Sequence, residues 1–469
     1  MISTSEGGQR LPFHSGSVPS PRTARYRPYA NTRFLPGAVL LYETMMKRAG
    51  AAILPFEDRD EVAFEEFLRR FRWGGASTSI DQIEVNGDEQ APVRVNTFTN
   101  EFWTAKQRAA HSLHEISYRA CFKPQLPRFF IDRLTRPGDI VYDPFMGRGT
   151  TLVEAALAGR FPYGCDVNPL SAVLCEPRLS PPSLADVQRG LAEVDFTDAG
   201  EMPEDLLVFY HPETLRQISA LRKHLLERER NSTLNAVQRW IRMVAVNRLT
   251  GHSSGFFSVY TLPPNQAVSP RAQAKINARL NQRPEPRDVP AIILSKTRAL
   301  LRDVTPDLRT NLERLAANAR ILTGLSASTP SIEDDSIALA VTSPPFLDVV
   351  DYKSDNWLRC WFSGIETAAV PVTLAKQLDS WKAFVTSTLT ELRRIVRPNG
   401  HVAFEVGEVR GGAVRLEELV VPAGIAAGLE PVLVLVNAQE FTKTANCWGV
   451  TNNRKGTNSN RVVLFRKRG

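Results

Sequence analysis

The chain has 469 residues, 43% of them hydrophobic, which is enough for a sizeable core and two or three structural units. A net charge of +8 and a pI near 9.3 favour a polyanionic partner, but over this length the excess is modest and agrees with nucleic acid without proving it. Five scattered cysteines with no CxxC pair exclude a zinc ribbon or a disulfide framework and match a reducing compartment, and His111 and His114 lack partners at metal-site spacing. No apolar run approaches the roughly 20 residues that cross a bilayer, and no signal-like region opens the chain, so the expectation is a soluble cytoplasmic protein with no membrane and no metal.

Residues 1–30, rich in Ser, Pro, Arg and Gly, read as a flexible tail. Residues 31–95 read as an N-terminal helical extension, because AVLLYETMMKRAGAAIL and EVAFEEFLRRF repeat their apolar positions at helical spacing; no chemistry attaches to them. Residues 96–175 carry the first motif. Ile140, Val141 and Tyr142 form a short buried strand that stops at Asp143 and Pro144 and enters the turn FMGRG. Thr150 and Thr151 open a helix whose apolar face is Leu152, Val153, Ala155, Ala156 and Leu157, and Gly159 ends it. Tyr163 to Cys165 then form a second strand that ends at Asp166.

This is a βαβ unit. Gly147 and Gly149 lack a Cβ, so a ligand can lie against bare backbone there, and an acid about 20 residues on, at the tip of the second strand, is placed to grip a ribose diol. Neither GxGxxG nor GxxxxGK[ST] is present, which argues against a dinucleotide or a nucleoside triphosphate. Taken alone, the glycine turn fits a mere tight connection equally well.

Residues 176–308 form an insertion. HPETLRQISALRKHLLERER and NAVQRWIRMVAVNRLTGHSSG read as amphipathic helices, and the stretch after them mixes aromatics, amides and bases. Tyr260, Asn265, Gln266, Arg271 and Lys275 are the nucleic-acid candidates there, since amides and arginines read base edges and cations neutralise phosphate. A helical lid that only packs on the catalytic domain is the competing reading. In the last unit, 309–469, ARILTGLS reads as a third strand and IALAV as a fourth that runs into Thr342, Ser343, Pro344, Pro345 and Phe346. Trp381 to Val396 reads as a helix, RPNG as its turn, HVAFEVGEV as a strand, and Leu429–Asn437 with Arg461–Arg466 as a closing antiparallel pair.

DPFMGRGTT followed by TSPPF resembles the S-adenosylmethionine-dependent DNA methyltransferases that modify exocyclic amino groups of cytosine or adenine. The resemblance covers about Asn100 to Ala172 and about Asn318 to Lys467, and implies an α/β Rossmann-like fold with a seven-stranded, mostly parallel sheet. It implies S-adenosylmethionine as cofactor, held by Asp143, Pro144, Phe145, Gly147, Gly149, Thr150, Asp166, Asn168 and Ser326. The stretch before the glycine motif, including Phe122 to Pro127, matches the family's additional cofactor-side segment, with Asn100, Phe102, Trp103 and His114 as further candidates against ordinary packing. The family commonly has an acid where this chain has Leu325; whether Ser326, Asp334 or Asp335 replaces it stays open.

The same resemblance makes Ser343, Pro344, Pro345 and Phe346 the catalytic motif. An aromatic NH2 is a poor nucleophile because its lone pair is delocalised. Ser343 Oγ and the Pro344 carbonyl would accept its hydrogen bonds, rigid prolines would place the acceptors, and Phe346 would stack on the flipped base. Double-stranded DNA is the implied partner, with a cognate restriction endonuclease possible in such systems. Serine at the head of the motif points to cytosine N4 before adenine N6, and the missing Pro-Cys pair disfavours a C5 mechanism. An RNA methyltransferase and an inactive DNA-binding module remain as rivals.

Overall fold

The computed structural model describes residues 61–85, 92–103, 110–118, 121–261, 267–345, 352–367, 370, 377–409, 414–438 and 459–469. After helix α1 (Glu61–Arg70) come strands β1 (Ser79–Val85) and β2 (Val93–Asn100), helix α2 (Gln125–Leu134), and the unit β3 (Ile140–Asp143), α3 (Thr150–Leu157), β4 (Phe161–Asp166). Among the described residues seven α-helices follow: α4 (Leu170–Leu179), α5 (Leu184–Ala192), α6 (Pro212–Arg230), α7 (Ala236–Val246), α8 (Pro270–Leu280), α9 (Val289–Leu300) and α10 (Pro306–Ala316). The rest is β5 (Arg320–Thr323), β6 (Ile337–Thr342), α11 (Tyr352–Ser363), α12 (Leu378–Ile395), β7 (Val396–Val406), α13 (Glu417–Ala426), β8 (Glu430–Ala438) and β9 (Ser459–Arg466).

One nine-stranded sheet takes the order β1-β2-β8-β9-β7-β6-β3-β4-β5. Strands β7, β6, β3, β4 and β5 are parallel, β9 runs antiparallel to both β7 and β8, and β2 is parallel to β8. Every residue of β6 is buried, as expected of a parallel strand covered on both faces. The chain runs outward from β3 through β4 to β5, then crosses back to place β6 on the other side of β3. The crevice above the C-terminal ends of β3 and β6 is therefore the topological switch point, where open α/β sheets bind ligands.

The expected seven strands are the run from β8 to β5. Of the two additional strands, β1 lies in and β2 begins in the stretch read from sequence as helical: only Glu61–Arg70 of its described part is α-helix, and β1 and β2 extend the sheet beyond β8. The period-2 alternation of VRVNTFTN was present but short, whereas the helical repeat of EVAFEEFLRR is long enough to dominate a periodicity reading. RPNG is likewise drawn into the start of β7, where Asn399 takes φ +62 beside a register shift against β6.

The insertion begins its helices with strong local signals: capping boxes Ser183/Asp186 and Asn235/Gln238, and Pro at the first positions of α6, α8, α9 and α10. Its apolar faces join α3 and α4 in one core that includes Leu152, Leu174, Trp240, Ile241 and Ile293. A second core, under α12 and α13, contains Tyr142, Trp381, Leu392, Phe404 and Phe465. Among the described residues no helix is long and apolar enough to cross a membrane.

The N-terminal strands and helices are fastened by two devices. Phe64, Phe67, Phe71, Phe102, Trp103, Phe129 and Phe130 form an aromatic cluster between α1 and α2, with Arg133 stacked on Phe129 at 4.1 Å. Fully buried Asn437 on β8 accepts from the Trp103 N–H (3.1 Å) and donates to the Trp103 carbonyl (3.3 Å). Replacing it strands two buried backbone groups, so Asn437→Ala should cost about 1–3 kcal/mol for each of them. The check is the urea midpoint, and a midpoint equal to wild type would show that those groups find other partners.

Candidate active site at the switch point

β3 ends in Asp143, whose carboxylate is fully enclosed. Its Oδ1 accepts from the Phe145 N–H at 3.0 Å and from the Thr342 hydroxyl at 2.6 Å, and Thr151 is a further partner. Thr342 is the last residue of β6, immediately before Ser343, so one carboxylate joins the glycine turn to the strand that leads into Ser343. The Thr151 hydroxyl adds a bond to the Val341 carbonyl at 3.1 Å. Burial, against these hydrogen bonds, pushes the Asp143 carboxyl up to about 7.

The turn itself is left-handed at two points, Gly147 (φ +48) and Gly149 (φ +73). At Gly149 a side chain is excluded by contact as well, since a Cβ would lie 2.4 Å from the Cys175 sulfur. The Gly147 N–H donates to Asp166 Oδ2 at 2.8 Å and the Asn168 N–H to Oδ1 at 2.9 Å. Asp166 is thereby held at the tip of β4, and burial raises its pKa against these hydrogen bonds and that of Ser171. Asn168 Oδ1 accepts from the Leu170 N–H at 3.0 Å and caps the turn. Thr150 is buried and takes a bond from Arg148; Pro144 is buried, and the Phe145 ring packs on Phe384 at 5.5 Å. Bare backbone, left-handed glycines and an oriented acid fit a nucleoside-bearing cofactor.

The segment from Leu113 to Tyr118, within the stretch that precedes the glycine motif, lies over this turn. The Tyr118 ring is 3.6 Å from where a Gly147 Cβ would stand. Buried Arg148 donates to the carbonyls of Ile116 (2.9 Å) and His114 (3.4 Å), and buried Arg178 donates to that of Leu113 (3.2 Å). His114 sits behind it, 2.7 Å from Glu154 on α3, with burial lowering its pKa to about 4. His114, Phe102 and Trp103 are thus packing and anchoring groups, and Asn100 donates to Thr78 at 3.2 Å.

Ser343, half-buried, follows β6. Thr342 pairs with Phe404, so in parallel register Ser343 stands beside Glu405 of β7, and the two side chains are hydrogen-bonded. Asn460 on β9 donates to Glu405 Oε1 at 2.9 Å. Glu405 is buried, and burial raises its pKa. A serine hydroxyl that donates to Glu405 keeps its oxygen lone pairs as acceptors. Pro344 is buried, and the Pro345 carbonyl accepts from the Trp381 indole at 3.0 Å, fixing the turn from α12. Phe346 lies outside the described residues. Glu405 was the readable signal that went unused: it is the one charge within the apolar run VAFEV.

The other expected residues scatter. Ser326 is buried and shares a hydrogen bond with Thr388 on α12 (3.0 Å), while Leu325 is 55% exposed. Asp334 pairs with Arg394 and Asp335 with Lys467. Arg271 and Lys275 are exposed on α8; Tyr260 is half-buried, its carbonyl taken by Gln273 and Gln282; Asn265 and Gln266 lie outside the described residues. No group of three or more His, Cys, Asp or Glu placed to hold a metal occurs among the described residues.

The Asp143 carboxyl has a consequence for stability. Its folded pKa of about 7 lies above the unfolded value near 3.9, so its contribution is complete below pH ~4 and is lost as pH rises to 7. His114 and His401, both lowered to about 4 by burial, act oppositely over part of that window. The difference between wild type and Asp143→Asn therefore isolates the carboxyl: the variant should gain stability relative to wild type between pH 5 and pH 8. Parallel urea melts at the two pH values measure it, and a constant difference would place the Asp143 pKa elsewhere.

Residues 59–172 match the family described as DNA methylase, the N6/N4 methylases. The chain is 41% identical over 75 residues to the type II methyltransferase M.MjaII of Methanocaldococcus jannaschii, covering 16% of this chain and 14% of that one. It is 23% identical over 356 residues to the type II methyltransferase M.BsoBI of Geobacillus stearothermophilus, covering 65% of this chain and 66% of that one. Among solved structures, a geranyl diphosphate C-methyltransferase from Streptomyces coelicolor aligns over 74% of this chain and 76% of its own at 8% identity and a TM-score of 0.31. The similarity to the N6/N4 DNA methylases thus falls on residues 59–172, the part of the chain that holds the glycine turn and Asp166.

Proposed function

We propose that the protein is a site-specific DNA methyltransferase of the restriction-modification type, moving a methyl group from S-adenosylmethionine to an exocyclic amino group, cytosine N4 before adenine N6. The observation that carries this reading is the joining of the two motifs at one switch point through Asp143 and Thr342 (2.6 Å).

The cofactor supplies an electrophilic methyl on sulfonium. The protein's part is to hold the nucleoside end at Asp166 and Gly147 and to prepare the amine. Ser343 Oγ and the Pro344 carbonyl accept its two N–H bonds and direct its lone pair away from the ring. As the N–C bond forms and the S–C bond breaks, the amine must shed a proton. Ser343 can take it while passing its own to Glu405, whose raised pKa suits an acceptor and whose place is fixed by Asn460. Orientation of this kind is worth up to roughly 7–11 kcal/mol, and no covalent intermediate is required. The serine at the motif's head supports cytosine.

The test is transfer of labelled methyl to unmethylated DNA and, in parallel, to total RNA, followed by nucleoside identification by mass. N4-methylcytosine in DNA is expected; N6-methyladenine would correct the base, label confined to RNA the substrate, and no label with cofactor bound the assignment as an enzyme. Ser343→Ala should abolish transfer and leave cofactor affinity intact. Glu405→Gln should lower kcat by about 10²-fold or more with the same affinity for cofactor; full turnover in either variant would remove that residue from the mechanism.

A further inference from the structure

Outside the switch point, the described residues hold one concentration of charge that the protein does not balance by itself. Arg248 follows α7 and is half-buried, its guanidinium stacked 3.9 Å above the Phe256 ring. Its Nε donates to the Asn247 carbonyl at 2.8 Å and one terminal nitrogen to the Gly255 carbonyl at 3.5 Å. No carboxylate pairs with it among the described residues. Its charged neighbours are cations instead: buried Arg359 on α11 and Lys296 on α9 both lie within electrostatic reach. Lys296 has Glu115 at 3.7 Å and Arg359 has Asp355 near, which leaves the charge of Arg248 in excess.

The loop above Arg248 is built rigidly. Gly251 bridges to Tyr260, Thr261 N–H donates to the Gly251 carbonyl at 3.1 Å, and Phe257 N–H donates to the Arg248 carbonyl at 2.8 Å. A Cβ on Gly251 would meet the Phe256 ring at 2.2 Å, so this glycine lets the ring seat against the backbone. The tip, His252 to Gly255, is exposed. Behind Arg248, Asn247 Oδ1 accepts from the Ser117 N–H at 2.9 Å, and the next residue, Tyr118, covers Gly147, while Arg359 stands 6.0 Å over the Tyr118 ring. The cluster thus borders the switch point on one side and solvent on the other.

Bringing like charges together in a partly desolvated place is costly unless an anion joins them. We propose that Arg248 receives a backbone phosphate of the DNA next to the target nucleotide, with Arg359 and Lys296 supporting the field and the Gly251–Tyr260 loop setting the distance. This rests on the functional reading above. A phosphate arriving from solvent suits the exposed loop tip, whereas the cofactor belongs to the crevice beyond Tyr118.

Each phosphate neutralised releases counterions, so the salt dependence of binding counts such contacts. Binding of a labelled random-sequence duplex is measured against salt for wild type, Arg248→Gln and Arg248→Lys, with cofactor affinity measured on the same preparations. The expected result is a slope of log K on log salt reduced by about one in the glutamine variant and restored in the lysine variant, at unchanged cofactor affinity. A wild-type slope in Arg248→Gln, or loss of cofactor affinity with the slope intact, overturns the proposal. If the glutamine variant does not fold, phenylglyoxal modification of wild-type Arg248, read on its peptide by mass, should be blocked by the duplex and not by cofactor; equal modification with duplex present overturns it. A wild type that neither binds nor methylates DNA removes the functional reading and this inference with it.

Discussion

The arrangement of the whole molecule turns on one buried carboxylate. Asp143 terminates the strand that leads into the glycine turn, and its bond to Thr342 reaches the strand that leads into Ser343. The two motifs stand about 200 residues apart in the chain, and neither turn holds its geometry alone: the first consists of left-handed glycines, the second of prolines that donate nothing. A single acceptor shared between a backbone N–H and a hydroxyl fixes the relative height of the two strand ends. Among the described residues no arginine or lysine pairs with the carboxylate, and burial dominates its pKa. A cation bound in the crevice above would supply what the protein withholds, so the same enclosure that positions the turn also favours a positively charged ligand.

Around that junction, buried polar groups act mainly on backbone. Arg148, Arg178 and Asn247 hold the segment from Leu113 to Tyr118 by its own carbonyls and amides, and Asn437 does the same for Trp103. Irregular chain needs such partners, because its backbone groups have no ladder to satisfy them. The roof over the glycine turn is therefore irregular in path but as well bonded as a strand.

This division explains what the amino-acid sequence disclosed. The parallel strands, the glycine turn, Asp166 and Ser343 were legible because a run of β-branched and apolar residues ending at Gly or Pro has few structural meanings. The insertion helices were legible from their caps and periodicity. Strands β1 and β2 were not, since the alternation of VRVNTFTN is short and the edge strand beside it, exposed along most of its length, has no apolar face. Glu405, Thr342 and Tyr118 were not, because their roles arise from strand register and from contacts with residues far along the chain, and local pattern carries neither. Ser326 follows β5 as its position in the chain suggests, and the hydrogen bond it shares with Thr388 of α12 is a contact that local pattern does not carry.

The insertion read from sequence as a recognition unit is in the structure also part of the catalytic core's wall. Trp240 and Ile293 share a hydrophobic core with Leu152 and Leu174, and Ser112 and Asp303 exchange hydrogen bonds (2.9 and 3.2 Å) between the roof segment and the end of α9. Packing and recognition are consequently not alternatives for these helices. A face that is welded to the roof of the glycine turn can carry contacts on its other side, and any displacement of those contacts is felt at Tyr118 through Asn247 and Ser117. Close-packed interiors transmit strain of this kind rather than absorb it. The physical expectation is that occupancy of the crevice and engagement of the insertion's outer surface are energetically linked, with the eight residues from His111 to Tyr118 as the shared element.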